Sequence, residues 1–344
     1  MTDEFKIVFV IGAGAGVDIE MPTGAILSRT IRSLLPFDLS TDGELRFTGE
    51  EHLKRSLELL EGNLDERQGD EWIKAAEHIS RNISLSRSID NFVDSHKTNP
   101  ITVQIAKLAI VAAIQAHEAS CTMRPNKQSH RPFDPWPIAR SWLTSLWQAL
   151  TTNCDFEGFR HRLTRVSFIN FNYDRCLEYL LLSSAQSFYR LNEAELKQVE
   201  RGMRIIHPYG SVGELSDLSQ FGRQASQEIH AAQVARIHTF TEGVVDPTLK
   251  SGIQHYLKSG NLIVFLGFAF HSINMELMFD GRSLCEENPP SRTILATSLG
   301  LSDRDSEAVK ASLEKSFNST NVELANMSCR ELFDKYQRTM FDRL

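Results

Sequence analysis

The sequence predicts an α/β protein in which a Rossmann-like, mostly parallel sheet is covered by helices and carries a large helical insertion. Three observations support this fold class. Short apolar runs end at glycine or polar residues, segments with helical spacing of apolar residues separate several of these runs, and one long stretch shows helical spacing alone. We predict strands at residues 5–11, 166–171, 203–206, 262–266 and 293–296, and helices at 175–182, 233–241, 247–258 and 329–344.

The composition is that of a globular protein. The chain has 344 residues, of which 41% are hydrophobic and 24% are charged, and its formal net charge is −7. This balance excludes a disordered or fibrous protein. The negative charge argues against a protein that coats DNA through its net field, with a local basic patch as the alternative, and we expect no direct, sequence-specific binding of nucleic acid. No apolar run is long enough to cross a membrane, and the amino terminus lacks the basic and apolar regions of a secretory signal. We therefore expect a cytoplasmic protein without membrane contact.

The first predicted strand ends abruptly in the glycine-rich turn Gly12-Ala13-Gly14. Backbone N–H groups of such a turn can approach a diphosphate, although a tight turn without a ligand is the alternative. Val17 stands where a dehydrogenase fingerprint has its third glycine, and no second strand ends in an acidic residue for a ribose. Hydride transfer is therefore disfavoured. Thr23, after Pro22, is the expected N-cap of the next helix.

The chain divides into a sheet-forming part and an insertion. Residues 1–50 and 161–344 carry the predicted strands and are expected to form the Rossmann-like domain. Residues 51–160 show helical spacing and contain a proline-rich loop at 131–137. We expect the helices of this stretch to form an insertion within the Rossmann-like domain.

Two polar residues follow the second predicted strand of the sheet-forming part. Asn172 and Asp174 lie between the strand at 166–171 and a helix. In parallel sheets, ligands bind at the carboxyl ends of the strands, so both side chains are candidates for a ligand crevice. The alternative, equally compatible with the pattern, is that either residue caps the helix.

A lone histidine follows the next predicted strand. His207 precedes a turn that contains Gly210 and Ser211. Imidazole titrates near neutral pH and suits a general base, whereas a structural histidine is the simpler interpretation for any one of the 11 histidines in the chain.

The strand at 262–266 is followed by Gly267 and Phe268, and Asn274 comes seven residues after the glycine. This turn is a candidate wall for the second half of a nucleotide. A core strand followed by a helix cap is the alternative.

In this order, the four motifs resemble the sirtuin-like proteins, and specifically the bacterial antiphage-defence NADases of that superfamily. The resemblance covers residues 1–50 and 160–300, and the insertion matches only in being helical. It rests on the GAG turn at 12–14, FNYD at 171–174, HPYGS at 207–211 and GFAFHSIN at 267–274.

Several positions depart from the family pattern. Gly16 replaces a serine of the first motif, and Phe171 replaces a threonine before the catalytic asparagine. The family's histidine directly precedes Gly-Ser, whereas Pro208 and Tyr209 intervene here. In the last motif, the departures are Ala269 for a glycine and Ser272 for an aspartate.

The resemblance implies hydrolysis of NAD to nicotinamide and ADP-ribose, with NAD as substrate and no metal. Asn172 would orient the water and the ribose hydroxyls, and His207 would accept a proton. The implied NAD-binding residues are Gly12, Ala13, Gly14, Pro22, Thr23, Asp174, Gly210, Ser211, Gly267, Phe268 and Asn274.

The protein deacylases of the same superfamily are the closest competing enzymes. They carry a zinc module with two cysteine pairs, and the five cysteines of this chain include no CxxC pair. They also have Asp-Phe-Arg after the loop proline, where this chain has Thr23-Gly24-Ala25. Deacylation is therefore not expected.

The resemblance also implies regulation, because a free NADase would deplete its own cell. Relatives act with a HerA-type hexameric ATPase or an Argonaute protein, and others form homo-oligomers. The insertion carries four aromatic residues that are candidates for subunit contacts, with a core position as the alternative. These are Trp72, Phe92, Trp142 and Trp147. A second hypothesis is a catalytically silent sensor or scaffold that binds NAD or ADP-ribose and gates a partner.

Overall fold

The computed structural model describes most of the chain. It describes residues 4–39, 45–61, 69–125, 133–215, 217–222, 229, 231–239, 242, 246–281, 283–284 and 292–344. Part of the predicted loop at 131–137 and the end of the predicted helix at 233–241 lie outside these residues.

A six-stranded, entirely parallel sheet forms the centre of the protein, with the order β5-β4-β1-β6-β7-β8. The α/β fold class is thereby confirmed. Its strands are β1 (Ile7–Ile11), β4 (Val166–Asn170), β5 (Ile205–Ile206), β6 (Leu262–Leu266), β7 (Thr293–Thr297) and β8 (Val322–Ala325). Two short strands, β2 (Phe37–Leu39) and β3 (Leu45–Phe47), pair separately in antiparallel fashion.

Helices cover both faces of this sheet. The longer ones before β4 are α1 (Gly24–Leu34), α2 (Glu51–Glu61), α3 (Gly69–Asn82), α4 (Ile89–Ser95), α5 (Pro100–Ser120), α6 (Trp142–Thr151) and α7 (Phe156–Leu163). After β4 come α8 (Cys176–Tyr189), α9 (Glu193–Gly202), α10 (Ala231–Val234), α11 (Pro247–Ser259), α12 (Ser272–Phe279), α13 (Asp303–Phe317) and α14 (Cys329–Phe341).

Alternate side chains of the central strands enter two separate cores. Val8 and Val10 of β1 pack in one core with helices α1 to α5 and α10 to α13. Phe9 packs in the other core with α6 to α9 and α14, where its ring stacks on Phe168 and Phe333 at centroid distances of 5.6 and 5.9 Å. Every residue of β1, β4 and β6 is buried, which explains why β1 and β6 are entirely apolar, while β4 includes the buried Ser167 and Asn170.

The described part of the predicted insertion consists of helices and their connecting loops, without a strand, and it contributes to both cores. Helices α2 to α5 cover one face of the sheet and α6 and α7 the other. The four aromatic residues offered as subunit contacts are at most 9% exposed, so the alternative of a core position is correct for Trp72, Phe92, Trp142 and Trp147. Helix α5 is long and apolar enough to span a membrane, but 67% of its most apolar window is buried inside the protein.

Some elements differ from the predictions. Helix α10 ends at Val234, and residues 235–239 are not helical, so the helix predicted at 233–241 is wrong in extent. Strand β8 was not expected, because its sequence Val-Glu-Leu-Ala at the sheet edge leaves Glu323 exposed and breaks the apolar run. The β2–β3 pair escaped prediction since each strand has three residues.

Candidate active site

A cavity of about 520 Å³ lies at the carboxyl ends of the parallel strands. The loops after all six strands of the parallel sheet contribute to it, and so does the beginning of α4 from the insertion. Eight residues predicted from the sequence line this cavity: Gly12, Ala13, Gly14, Thr23, Asn172, Gly267, Phe268 and Asn274. Five predicted residues do not line it: Pro22, Asp174, His207, Gly210 and Ser211.

The glycines after β1 and β6 allow two loops to touch beside the cavity. The backbone N–H of Gly14 donates to the carbonyl of Gly267 at 2.9 Å. A Cβ on Gly12 would lie 2.7 Å from that carbonyl oxygen, and a Cβ on Gly267, whose φ is +54°, would lie 2.0 Å from the backbone nitrogen of Ala15. These positions therefore require glycine for packing, whatever the cavity binds.

Asn172 presents its amide to the cavity just beyond the end of β4. Its Nδ2 donates to the carbonyl of Gly12 at 3.3 Å, and its backbone N–H donates to Oδ1 of Asn170 at 3.1 Å. These contacts hold the amide next to the first glycine turn. The amide oxygen remains an acceptor that can face a ligand.

Asp174 has the role that the sequence offered as its alternative. It is buried, and its Oδ1 accepts a hydrogen bond from the backbone nitrogen of Cys176 in the first turn of α8 at 3.0 Å. Burial raises the pKa of this carboxyl. The predicted contact of Asp174 with NAD is therefore replaced by a structural role at the start of the helix.

His207 lies behind Asn172 and outside the cavity lining. Its Nδ1 is 2.9 Å from the backbone carbonyl of Asn172, and its Nε2 is 2.6 Å from Oε1 of Glu178 on α8. Burial alone would lower the pKa of His207, but the charge and hydrogen bond of Glu178 and the Asn172 carbonyl outweigh it and raise the pKa.

Both ring nitrogens of His207 therefore face acceptors, which favours the doubly protonated imidazolium. Such a ring has no free lone pair for a substrate proton. The prediction that His207 acts directly as the base is corrected to a positioning role, in which it supports the backbone of Asn172.

The strand register explains why the histidine misses the cavity. Ile206, the last residue of β5, pairs with Ile169 of β4, so His207 stands level with Asn170 inside the strand. Two residues beyond His207, in a turn in which the N–H of Gly210 donates to the carbonyl of His207 at 3.0 Å, Tyr209 lines the cavity.

Tyr209 is also the residue that directly precedes Gly210 and Ser211. Its hydroxyl donates to Oδ1 of Asn274 at 2.5 Å. Gly210 has φ +74° and packs against the carbonyl of Arg236, where a Cβ would lie at 1.7 Å. Ser211 donates locally to the carbonyl of Gly213 at 3.4 Å. The predicted NAD contacts of Gly210 and Ser211 are corrected to roles in this turn.

Several residues that line the cavity were not predicted from the sequence. Asp90 carries no motif that would identify it, because it lies in the helical insertion. Tyr209 could have been found from its place before Gly-Ser. The other lining residues that were not predicted to bind NAD are Val17, Asp18, Gly24, Ser88, Phe171, Ala269, His271, Ile273, Thr297, Ser298, Leu299, Gly300, Leu301, Met327, Ser328 and Cys329.

The surface of the cavity is mostly apolar, and none of its described lining residues is a lysine or arginine. The first turns of α1, α12 and α14 line it, through Gly24, Ile273 and Cys329. Helix N-termini carry partial positive charge and unpaired N–H groups, so they can hold a phosphate.

Within the described ranges, no group of three or more His, Cys, Asp or Glu side chains is arranged to hold a metal ion. The prediction of a metal-independent reaction stays a prediction. No model of a known protein family matches the chain, and no curated protein matches it.

Proposed function

We propose that this protein is an NAD glycohydrolase that cleaves NAD to nicotinamide and ADP-ribose. The observation that carries the proposal is the position of Asn172. Its amide lies at the carboxyl end of a central parallel strand, bonds to the carbonyl of Gly12 and shares one cavity with the glycine turns after β1 and β6. This is the crevice in which open α/β sheets bind ligands.

The size of the cavity, the helix N-termini beside it and its apolar wall support a dinucleotide. Its volume of about 520 Å³ lies within the range of small-molecule sites. Helix N-termini and backbone N–H groups suit a diphosphate. Aromatic rings of Phe171, Tyr209 and Phe268 form an apolar wall, with centroid distances of 5.8 Å from Phe171 to Tyr209 and 5.1 Å from Phe171 to Phe268. Such a wall suits the planar nicotinamide.

The chemistry needs few groups. Nicotinamide is cationic in NAD and leaves as a neutral base when the bond to the ribose breaks, so no acid has to protonate it. The ribose cation that develops then needs an oriented water and oxygen dipoles. Asn172 supplies an amide oxygen for the water or the ribose hydroxyls, and His207 keeps the backbone of Asn172 in place.

The biological setting follows from the sequence resemblance alone. We propose a cytoplasmic antiphage-defence effector whose activity is restrained until infection. Its control would come from homo-oligomerisation or from a HerA-type ATPase or Argonaute partner.

The test is NAD turnover by the full chain, alone and with the product of the neighbouring gene, with nicotinamide followed by chromatography. We expect nicotinamide release, and we expect Asn172→Ala to lower it at least about 100-fold with folding intact. Gln198→Ala is the matched control, because it removes an exposed amide on α9 that does not line the cavity. Equal turnover by Asn172→Ala and the control would refute the proposal.

One observation favours a second candidate, the silent sensor. Both ring nitrogens of His207 are engaged by Asn172 and Glu178, so the base implied by the family resemblance is absent from the cavity lining. Calorimetry would establish the sensor in place of the enzyme if it showed tight binding of NAD or ADP-ribose while no nicotinamide was released, either by the chain alone or with the product of the neighbouring gene.

A further inference from the structure

We propose that Asp90, contributed by the helical insertion, is the carboxylate that accepts a proton from the attacking water in this cavity. The inference rests on the proposed NAD hydrolysis, and it names the base of that reaction. It also gives the insertion a chemical role at the site in addition to its structural one.

Helix α4 holds Asp90 at the cavity wall. Ser88 is the N-cap of this helix, and its hydroxyl accepts a hydrogen bond from the backbone nitrogen of Asn91 at 3.2 Å. Ser88 and Asp90 both line the cavity. Ile89 and Phe92 anchor the helix in the core, with 1% and 2% of their surfaces exposed. The first turn of α4 therefore has a fixed position relative to the sheet.

A hydrogen bond joins Asp90 to the loop that carries Asn172. The hydroxyl of Tyr173 donates to Oδ1 of Asp90. Burial raises the pKa of Tyr173 well above its usual value, so the phenol keeps its proton and acts as a donor. Because Tyr173 directly follows Asn172, the carboxylate and the amide are positioned by consecutive residues of one loop.

Asp90 is suited to accept a proton. Burial raises the pKa of its carboxyl, against hydrogen bonds from Tyr173 and Ser88 and the charge of His271. Tyr209 lies close enough to Asp90 that the negative charge of the carboxylate, after burial, helps to raise the pKa of the Tyr209 phenol. In the described structure no lysine or arginine pairs with Asp90, and a carboxylate that is not neutralised and has a raised pKa is a stronger base than an exposed one.

Other cavity groups fit this role less well. Burial also raises the pKa of the Asp18 carboxyl, but the backbone nitrogen of Trp142 donates to it at 3.3 Å and the positive charge of Arg330 favours its ionised form. No arginine or lysine of the described structure acts on Asp90 in this way. The thiol of Cys329 has its pKa raised to about 12 by burial, so it remains protonated. His207 lies outside the lining.

The proposed step is a balanced hydrolysis. The bond between the anomeric carbon of the ribose and the nicotinamide nitrogen breaks, and its electron pair stays on that nitrogen. The oxygen of water bonds to the anomeric carbon, and one water proton passes to the carboxylate of Asp90. Asp90 then releases this proton to solvent.

The experiment measures kcat, NAD affinity and the pH profile of the full chain, in the assembly that turns over NAD. Asp90→Asn keeps the shape and the acceptor for Tyr173, so we expect it to fold and bind NAD while kcat falls at least about 100-fold. Asp94→Asn, on the same helix and outside the cavity lining, is the matched control with expected kcat within about twofold.

A second variant reports on the base without removing it. The hydrogen bond from Tyr173 lowers the pKa of Asp90, so Tyr173→Phe should move the acidic limb of the kcat profile to higher pH. A purely structural role of Tyr173 would leave this limb in place.

The outcomes separate the inference from the proposed function. If Asp90→Asn keeps the kcat of the control while Asn172→Ala is inactive, NAD hydrolysis stands and the role of Asp90 is refuted. The role of Asp90 is also refuted if the acidic limb of the kcat profile disappears in His271→Gln and persists in Asp90→Asn. If the unaltered chain binds NAD and releases no nicotinamide, the proposed function fails and the inference fails with it.

Discussion

The loops that follow β4 and β5 leave neighbouring parallel strands, yet they present their polar residues at different heights. Strand β4 is central and ends at Asn170, and Asn172 lies above it at the cavity. Strand β5 is a two-residue edge strand, and His207 follows it at the level of Asn170. The amide therefore faces the cavity, whereas the imidazole packs under the backbone that carries the amide.

This difference shows that register decides which residue after a strand reaches the ligand crevice. Tyr209, two residues beyond His207, lines the cavity, although a histidine has the more familiar chemistry. We therefore expect the loop after β4 to act on the substrate through Asn172. The loop after β5 holds the backbone of Asn172 through His207 and forms part of the cavity wall through Tyr209.

The largest effect that separates the two loops is expected from His207→Ala. The variant removes the imidazole that contacts both Glu178 and the backbone carbonyl of Asn172. Both groups lose their partner, and the side chain of Glu178 is only 18% exposed. We expect the free energy of unfolding to fall by about 2 kcal/mol in urea titrations, and turnover to fall with it.

His161→Ala is the matched control for this variant. His161 forms an exposed pair with Glu4 at 3.5 Å, so its removal should change stability by less than about 0.5 kcal/mol. If His207→Ala abolished turnover at unchanged stability, a direct catalytic role of His207 would replace the supporting one.

A smaller effect is the pH dependence of stability that His207 contributes. Its pKa is raised in the folded state above the reference value of 6.5, chiefly by Glu178 acting against burial. The stabilisation from this pair is therefore complete below 6.5 and is lost as the pH rises through the folded-state pKa. Unfolding titrations over this pH window should show that His207→Gln removes this decline. An unchanged decline would contradict the assignment.

The smallest effect is expected from Tyr209→Phe. This change removes one hydrogen bond to Asn274 and keeps the ring of the cavity wall, so it should cost about 1 kcal/mol in thermal or urea unfolding. Tyr336→Phe, which removes an exposed hydroxyl bonded to Glu323, should cost less than about 0.5 kcal/mol. Equal costs for both variants would show that the Tyr209 hydroxyl does not stabilise the wall.

The central strands and the first loop residues were predictable because local sequence determines them. Continuous apolar runs mark β1 and β6, a largely apolar run marks β4, and the glycines that follow β1 and β6 are required where the two loops touch. Asn172 was found because it follows a central strand directly.

The rest of the site depends on long-range packing. Asp90 reaches the cavity only because α4 packs on the sheet and Tyr173, 83 residues later, bonds to it. The position of His207 relative to β4 depends on how β5 pairs with β4, and no local sequence pattern predicts that pairing. Asp174 and Asn172 share the same sequence motif, and only the structure shows that one serves the helix and the other the cavity.

The most direct measurement is a crystal structure of the full-length Asn172→Ala variant soaked with NAD. We expect a dinucleotide in the cavity, with its diphosphate at residues 12–14 and its nicotinamide-bearing ribose facing position 172 and Asp90. A cavity that stays empty at saturating NAD, or a dinucleotide bound elsewhere on the protein, would contradict it.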